Sequence, residues 1–122
     1  MPKQFLISIV DDDDFVREAI ARQLKAYGYL TQTFESAASL LGSDARAQTD
    51  CLVVDMQMPG MTGLELYARL AAAGDPIPTI LITAHPDENL RARALRAGVL
   101  CYLAKPCSGE ELLECVRSAL ER

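Results

Sequence analysis

The sequence predicts one α/β domain in which a five-stranded parallel sheet carries helices on both faces. Apolar, β-branched runs alternate along the chain with segments whose apolar residues recur at helical spacing. The 122 residues suffice for one domain with a substantial core and are too few for two. Acidic, hydroxyl or lysine residues directly follow the apolar runs. We therefore expect a doubly wound fold of strand order 2-1-3-4-5, with residues 1–122 as a single domain.

Three strands and two helices are predicted in the first half of the chain. The strands cover residues 5–10, 30–34 and 51–54. The first helix ends at Gly28, and its apolar positions at helical spacing are Val16, Ala19, Ile20, Leu24 and Tyr27. Ser36 caps a short second helix that ends near Gly42. These elements form a strand–helix–strand unit, a second helix and a third strand.

Two strands and three helices are predicted in the second half, with the strands at residues 79–83 and 99–103. Capping boxes begin two of the helices, formed by Thr62 with Glu65 and by Ser108 with Glu111. The fourth helix covers residues 87–97. The third helix is predicted to bury Leu64, Tyr67, Ala68 and Ala71. The last is predicted to bury Leu112, Cys115, Val116, Ala119 and Leu120.

Composition and charge argue against several classes of protein. Seventeen acidic residues against twelve basic ones give a net charge of -5, which disfavours a nucleic-acid surface on this domain. The four cysteines form no CxxC pair and have one histidine to join them, so we expect reduced thiols. No apolar run approaches the ~20 residues of a membrane span, and the amino terminus does not have the pattern of a signal peptide. The expected location is the cytoplasm, without a membrane or nucleic-acid partner.

Polar residues that could bind a ligand or take part in a reaction follow four of the predicted strands. Asp11 and Asp12 end strand one, and Asp55 ends strand three before the Met-Pro-Gly turn of VVDMQMPG. Because strands one and three are neighbours in the predicted order, their carboxylates should meet at the carboxyl edge of the sheet. Thr83 and Lys105 reach the same edge from strands four and five. We assign the next acidic residues to the start of the first helix, with Asp14 as its cap.

Three carboxylates in close proximity repel one another, so a positive group must offset their charge. Mg²⁺ fits this need, because it binds one or two carboxylates and keeps waters that a phosphate can replace. Lys105 supplies a point charge for a phosphoryl oxygen, and the Thr83 hydroxyl can turn toward the same group. These residues suit phosphoryl transfer in which Asp55 is the nucleophile and Asp11 and Asp12 hold the metal.

The motifs IVDDDD (ending at Asp14), VVDMQMPGMTG (53–63), ITA (82–84) and YLAKP (102–106) occur in order along the chain. Together they resemble the receiver domain of bacterial two-component response regulators, the CheY-like family with a flavodoxin-like fold. The resemblance covers nearly the whole chain. Within that family, the chain is most similar to FixJ/NarL-type regulators, in which a helix-turn-helix domain follows the receiver.

The resemblance implies a role for each site residue. Asp55 would accept a phosphoryl group from a histidine kinase or phosphotransfer protein. Mg²⁺ would be held by Asp12, Asp55 and the main-chain carbonyl of Gln57, with Asp11 acting through water. Thr83 and Tyr102 would form a switch pair, and Lys105, followed by a cis bond to Pro106, would contact the phosphate. Apart from the resemblance, we expect Gln57 and His85 at the rim of the site to tune water access and hence the lifetime of the phosphoaspartate. The alternative for His85 is a partly exposed loop imidazole without a role.

Phosphorylation would then alter the face made by helix 4, strand 5 and helix 5. That face would contact an effector domain or a second copy of the chain. In a homodimer, arginines of helix 4 would meet acidic residues of helix 5: Arg91, Arg93 and Arg96 against Glu110, Glu111 or Glu114. The expected output is transcription through a DNA-binding domain outside this sequence, and the only reactions catalysed are the domain's own phosphorylation and dephosphorylation.

Other functions remain open at the level of sequence. A haloacid-dehalogenase-type phosphohydrolase would use a strand-end Asp and Mg²⁺, but it needs an acidic residue where this chain has Gln57. A flavodoxin-like FMN carrier needs a Gly-, Ser- and Thr-rich loop after strand one, where this chain has four aspartates. A pseudo-receiver or stand-alone adaptor that binds partners without phosphate should lack Asp55 or Lys105, and both are present.

Overall fold

A computed structural model describes residues 4–121 of the chain. Its strands are β1 Leu6–Val10, β2 Leu30–Phe34, β3 Cys51–Asp55, β4 Thr79–Thr83 and β5 Cys101–Ala104. Its α-helices are α1 Asp14–Ala26, α2 Ala37–Leu41, α3 Gly63–Ala72, α4 Glu88–Ala97 and α5 Gly109–Leu120. A 3₁₀ turn, Asp44–Gln48, follows α2 and was not predicted. Within the described range, no helix combines the length and apolarity that a bilayer crossing requires.

All five strands are parallel, and their order is β2-β1-β3-β4-β5, which confirms the predicted doubly wound topology. The register aligns Val10 of β1 with Val54 of β3. Asp55, one residue further, is aligned with Ile82 of β4. Thr83 at the end of β4 is aligned with Ala104 of β5. The four strands therefore end at one level, and the residues that follow them share one edge of the sheet.

Two hydrophobic layers hold the helices against the sheet, because successive side chains of a strand point to opposite faces. On one face, Val54 and Leu81 pack with Leu66 and Leu70 of α3 and with α2 and α4. On the other face, the buried residues of the strands pack with those of α1 and α5: Ile7, Ile9, Val53, Ile80 and Ile82, with Ile20, Ala21, Leu24, Leu112, Val116 and Ala119. The central strands β3 and β4 are buried along their whole length, as expected for a sheet covered on both sides.

The predicted inward faces of α1 and α3 were partly wrong. In α3, Ala68 and Ala71 are exposed, and Leu66 and Leu70 are the buried residues. In α1, Ala19 is exposed, and Tyr27, which follows the last residue of the helix, keeps 48% of its surface in solvent. Alanine fits either face of a helix, whereas the larger Leu side chains fill the gap above the sheet and set the rotation of the helix.

The cap of α1 and the start of β5 also differ from the prediction, and several other element ends are shifted by one residue. Asp13, not Asp14, is the N-cap of α1, because its carboxylate accepts from the Phe15 and Val16 N–H groups at 2.9 and 3.2 Å. β5 begins at Cys101 rather than at Val99, since the Val99 N–H still donates to Ala94 of α4. Both capping boxes and the Ser36 cap are confirmed.

We predict that Gly63→Ala destabilises the protein by about 1–3 kcal/mol, the usual cost of overpacking. A Cβ at Gly63 would lie 2.6 Å from the Asp55 carbonyl oxygen and 2.8 Å from a Leu81 methyl carbon. Urea unfolding measures the change in the free energy of unfolding. Gly42→Ala is the matched control, because its Cβ would meet only the Ala38 carbonyl at 3.5 Å. Equal stability of the two variants would contradict the prediction.

Candidate functional site

Three carboxylates converge at the carboxyl edge of the sheet, as the strand order predicted. Asp11 directly follows β1, Asp12 is the next residue, and Asp55 is the last residue of β3. Each offers one oxygen atom, and these atoms lie within 4.8 Å of one another. Asp11 is fully buried and Asp55 is 5% exposed, whereas Asp12 is exposed to solvent. We call these three residues the acidic pocket.

Lys105 joins two members of the acidic pocket. Its Nζ lies 2.9 Å from Asp11 Oδ2 and 3.3 Å from Asp55 Oδ2. The position is fixed by the end of β5, where the Lys105 N–H donates to the Thr83 carbonyl at 2.7 Å and the bond to Pro106 is cis. Burial acts to lower the pKa of Lys105, but the hydrogen bond and charge of Asp11, with those of Asp55, outweigh burial and raise it. The lysine is therefore a fixed positive charge beside Asp55.

Main-chain and side-chain donors hold the two buried carboxylates in place. Asp11 Oδ1 accepts from the Asp13 N–H at 2.9 Å, and its other oxygen accepts from Lys105. The Asp11 carbonyl accepts from Arg17 Nη1 at 2.6 Å. Asp55 Oδ1 accepts from the Gln57 N–H at 3.1 Å. Both buried carboxylates are thus oriented by the loops that follow their strands.

The pKa of Asp55 is raised above its ordinary value. Burial is the main cause, because it disfavours the charged form, and the neighbouring charge of Asp11 acts in the same direction. The Gln57 N–H and Lys105 act against the shift without cancelling it. An ionised Asp55 therefore costs free energy in the folded state, and a further positive charge in the pocket would lower that cost.

The donor set fits a hard divalent cation. Carboxylate oxygens are the ligands such ions prefer, and the exposed Asp12 leaves the pocket open on the solvent side. Among residues 4–121, the acidic pocket is the one group of three or more such ligands close enough to share an ion. Cys51 and Cys115 are poor thiolate ligands, since burial raises the pKa of each to about 12.

Thr83, His85 and Gln57 also lie along this edge of the sheet, whereas Tyr102 lies within β5, aligned with Leu81 of β4. Thr83 is fully buried at the end of β4, and its Oγ1 accepts from the His85 N–H at 3.0 Å. His85 and Gln57 are exposed loop residues. Tyr102 of β5 is partly buried, and its hydroxyl accepts from the Asp87 N–H at 3.4 Å, at the start of α4.

Arg17 is a site residue that the sequence prediction missed. It lies 9% exposed in the first turn of α1, where it contacts the Asp11 carbonyl and the Asp14 carboxylate. The available signal was its spacing from Ile20, Ala21 and Leu24, which places an arginine on the buried face of the helix. A charged residue on that face must find partners inside the protein.

A doubly wound parallel sheet with an acidic pocket and a lysine at its carboxyl edge defines a CheY-like α/β domain. The sequence model for the response regulator receiver domain matches residues 7–117 of the chain. The chain therefore belongs to the receiver domain family of two-component response regulators, as the motifs predicted.

Similar proteins agree with this assignment. The response regulator protein TmoT of Ectopseudomonas mendocina is 35% identical over 98% of this chain and 54% of its own length. The transcriptional regulatory protein FixJ of Azorhizobium caulinodans is 35% identical over 100% of this chain and 58% of its own length. The chain thus spans about half the length of these relatives.

Solved structures of response regulators have the same fold as this chain. The crystal structure of FixJ-N superposes with a TM-score of 0.90 at 30% identity, covering 99% of this chain and 97% of that one. The response regulator StyR superposes with a TM-score of 0.89 at 39% identity, covering 98% of this chain and 60% of that one.

We predict that Asp55→Asn raises the melting temperature of the metal-free protein near pH ~7. The pKa of Asp55 is raised in the folded state, so the wild type loses stability as the pH rises through that folded pKa. The variant has no carboxyl at this position to titrate, and its advantage should shrink toward pH ~4, near the unfolded pKa.

Thermal unfolding in a chelator at the two pH values measures this difference. Glu18→Gln, which changes an exposed carboxylate of α1, is the matched control and should show little change. A variant Asp55→Asn that is less stable than the wild type at both pH values would contradict the prediction.

Proposed function

We propose that the chain is a phosphoacceptor domain in which Asp55 receives a phosphoryl group from a histidine kinase or phosphotransfer protein. The observation that carries the proposal is the contact of Lys105 with Asp55 at 3.3 Å, inside a pocket of three carboxylates. A nucleophilic carboxylate, a fixed cation and further acidic ligands are the groups that phosphoryl transfer needs. A pseudo-receiver, which binds its partners without phosphate, does not require these groups.

Each residue of the pocket has a separate part in this reaction. An Asp55 carboxylate oxygen forms the new bond to phosphorus as the bond from phosphorus to the donor histidine nitrogen breaks. Lys105 is placed to neutralise a phosphoryl oxygen, since its ammonium already lies beside the nucleophile. Mg²⁺, when bound, supplies charge neutralisation to the transferring group. Asp12, Asp55 and the Gln57 carbonyl would hold the ion, with Asp11 acting through water.

Thr83 and Tyr102 would carry the signal away from the pocket. The Thr83 hydroxyl now accepts a hydrogen bond from the His85 N–H. It can rotate and instead donate a hydrogen bond to a phosphoryl oxygen. That rotation would open space behind β4 on the side where Tyr102 packs. Tyr102 would then give up its contact with the Asp87 N–H and move inward, which changes the start of α4. Gln57 and His85, exposed at the rim, would tune water access to the phosphoaspartate.

The face formed by α4, β5 and α5 would deliver the output. Among the exposed charges of its two helices, α4 carries Arg91 and Arg96, and α5 carries Glu110 and Glu114. A twofold axis would pair α4 of one copy with α5 of another and bring these charges together. Because the relatives are about twice as long, and one is named a transcriptional regulatory protein, we propose that the output is transcription through a further domain.

A partner can reach the acidic pocket beside α1. Phe15 is 84% exposed there, next to an apolar cleft that Val16, Ile20, Pro106 and Cys107 line together with Lys105. An exposed aromatic ring beside an apolar cleft that Lys105 also lines suits an apolar surface on the phosphodonor protein. We propose that the kinase or phosphotransfer protein, in the cytoplasm, docks at this cleft.

We predict that incubation with Mg²⁺ and acetyl phosphate adds the mass of one phosphoryl group to the wild type and none to Asp55→Asn. Lys105→Met should slow the reaction by about 10²-fold, the usual cost of removing one charge-stabilising donor. Intact mass spectrometry over time measures both. Lys25→Met, at an exposed position of α1, is the matched control and should react like the wild type. Equal labelling of wild type and Asp55→Asn would refute the assignment of Asp55.

We predict that phosphorylation shifts the chain from monomer toward dimer in sedimentation velocity. Arg96→Glu should weaken the dimer by about 2–5-fold, in line with the modest energy of an exposed ion pair. Arg22→Glu, on the exposed surface of α1, should not affect dimerisation. A monomer both before and after phosphorylation would count against the dimer while leaving the phosphoacceptor role intact.

A further inference from the structure

Arg17 occupies an unusual place for a charged side chain. It lies on the buried face of α1 in phase with Ile20, Ala21 and Leu24, and it is 9% exposed. An arginine in this environment requires hydrogen-bond acceptors within the protein, because burial removes most of the water around its charge. Its position in the sequence alone does not say which acceptors it finds.

The guanidinium group connects the two ends of the acidic loop. Nη1 donates to the Asp11 carbonyl at 2.6 Å, at the end of β1. Nη2 forms an ion pair with the Asp14 carboxylate, on the first residue of α1. Asp12 lies between these two contacts along the chain. The planar fork of arginine suits such a double contact, because its separate nitrogens donate to two acceptors in different directions.

Arg17 and Lys105 approach the acidic pocket in different ways. Lys105 contacts carboxylate oxygens of Asp11 and Asp55 directly. Arg17 contacts main chain at Asp11 and a carboxylate outside the pocket at Asp14. It therefore brings positive charge to a loop of consecutive aspartates and fixes the path of that loop without occupying a pocket oxygen. Residues that orient metal ligands in this way commonly affect metal affinity by 10–100-fold.

We propose that Arg17 is a positioning residue of the acidic pocket: its guanidinium fixes the loop that presents Asp11 and Asp12 and thereby sets the affinity for Mg²⁺. The inference rests on the proposed phosphoacceptor function, since it concerns the same pocket. Its effect on phosphorylation is indirect. Loss of Arg17 should raise the Mg²⁺ concentration required for reaction and leave the rate at saturating Mg²⁺ near that of the wild type.

The test measures Mg²⁺ binding to the metal-free chain by isothermal titration calorimetry for the wild type, Arg17→Gln and Arg17→Lys. Arg17→Gln should bind Mg²⁺ about 10–100-fold more weakly. Arg17→Lys, which keeps the charge and one contact, should lose less. Arg22→Gln, on the exposed face of the same helix, is the matched control and should bind like the wild type. Labelling by acetyl phosphate should show the same shift in half-maximal Mg²⁺ concentration.

Urea unfolding in a chelator separates positioning from stability. Folded Arg17 variants with wild-type Mg²⁺ affinity would overturn the inference, even if their free energy of unfolding has fallen. If Arg17→Gln does not fold, Arg17→Lys decides the question, because unchanged affinity in that variant also overturns it. A wild type that neither binds Mg²⁺ nor becomes phosphorylated would refute the proposed function itself, which distinguishes the two failures.

Discussion

The repulsion among the carboxylates of the acidic pocket is the constraint on which the rest of the site depends. Asp11 is fully buried and Asp55 nearly so, and both lie at the ends of adjacent central strands that cannot move apart without breaking the sheet. Their charges must therefore be offset in place. Lys105 does so from the end of β5, and Arg17 adds positive charge on the side of α1. The pKa of Asp55 is nevertheless raised, because burial and the charge of Asp11 outweigh Lys105 and the Gln57 N–H.

Rigid packing keeps that unfavourable arrangement in place. β3 and β4 are buried along their length, and the two hydrophobic layers press helices onto both faces of the sheet. Gly63 shows how close the packing is, since the start of α3 contacts the Asp55 main chain with no space for a methyl group. The close-packed core around the two buried carboxylates therefore holds them in place despite their mutual repulsion.

The same packing places the acidic pocket and the proposed output surface in different parts of the domain. The pocket lies at the carboxyl edge, whereas the proposed output surface lies along α4, β5 and α5. Lys105 connects the two regions, because its N–H donates to the Thr83 carbonyl and it directly follows β5, which carries Tyr102. Under the proposed function, a change at a phosphorylated Asp55 would therefore have a short path to the Tyr102 hydroxyl and the start of α4.

The sequence by itself determined the strand order and the convergence of Asp11, Asp12, Asp55 and Lys105, because short buried runs in an alternating α/β chain allow few topologies. It also determined the capping boxes, whose side chains act within four residues. Tertiary structure decided the rotation of α1 and α3, since the apolar residues of each helix allowed more than one inward face and core volume selected Leu66 and Leu70. It also decided the role of Arg17, whose acceptors depend on how α1 packs against the end of β1. Local patterns fix local geometry, whereas contacts between elements depend on packing that no single segment encodes.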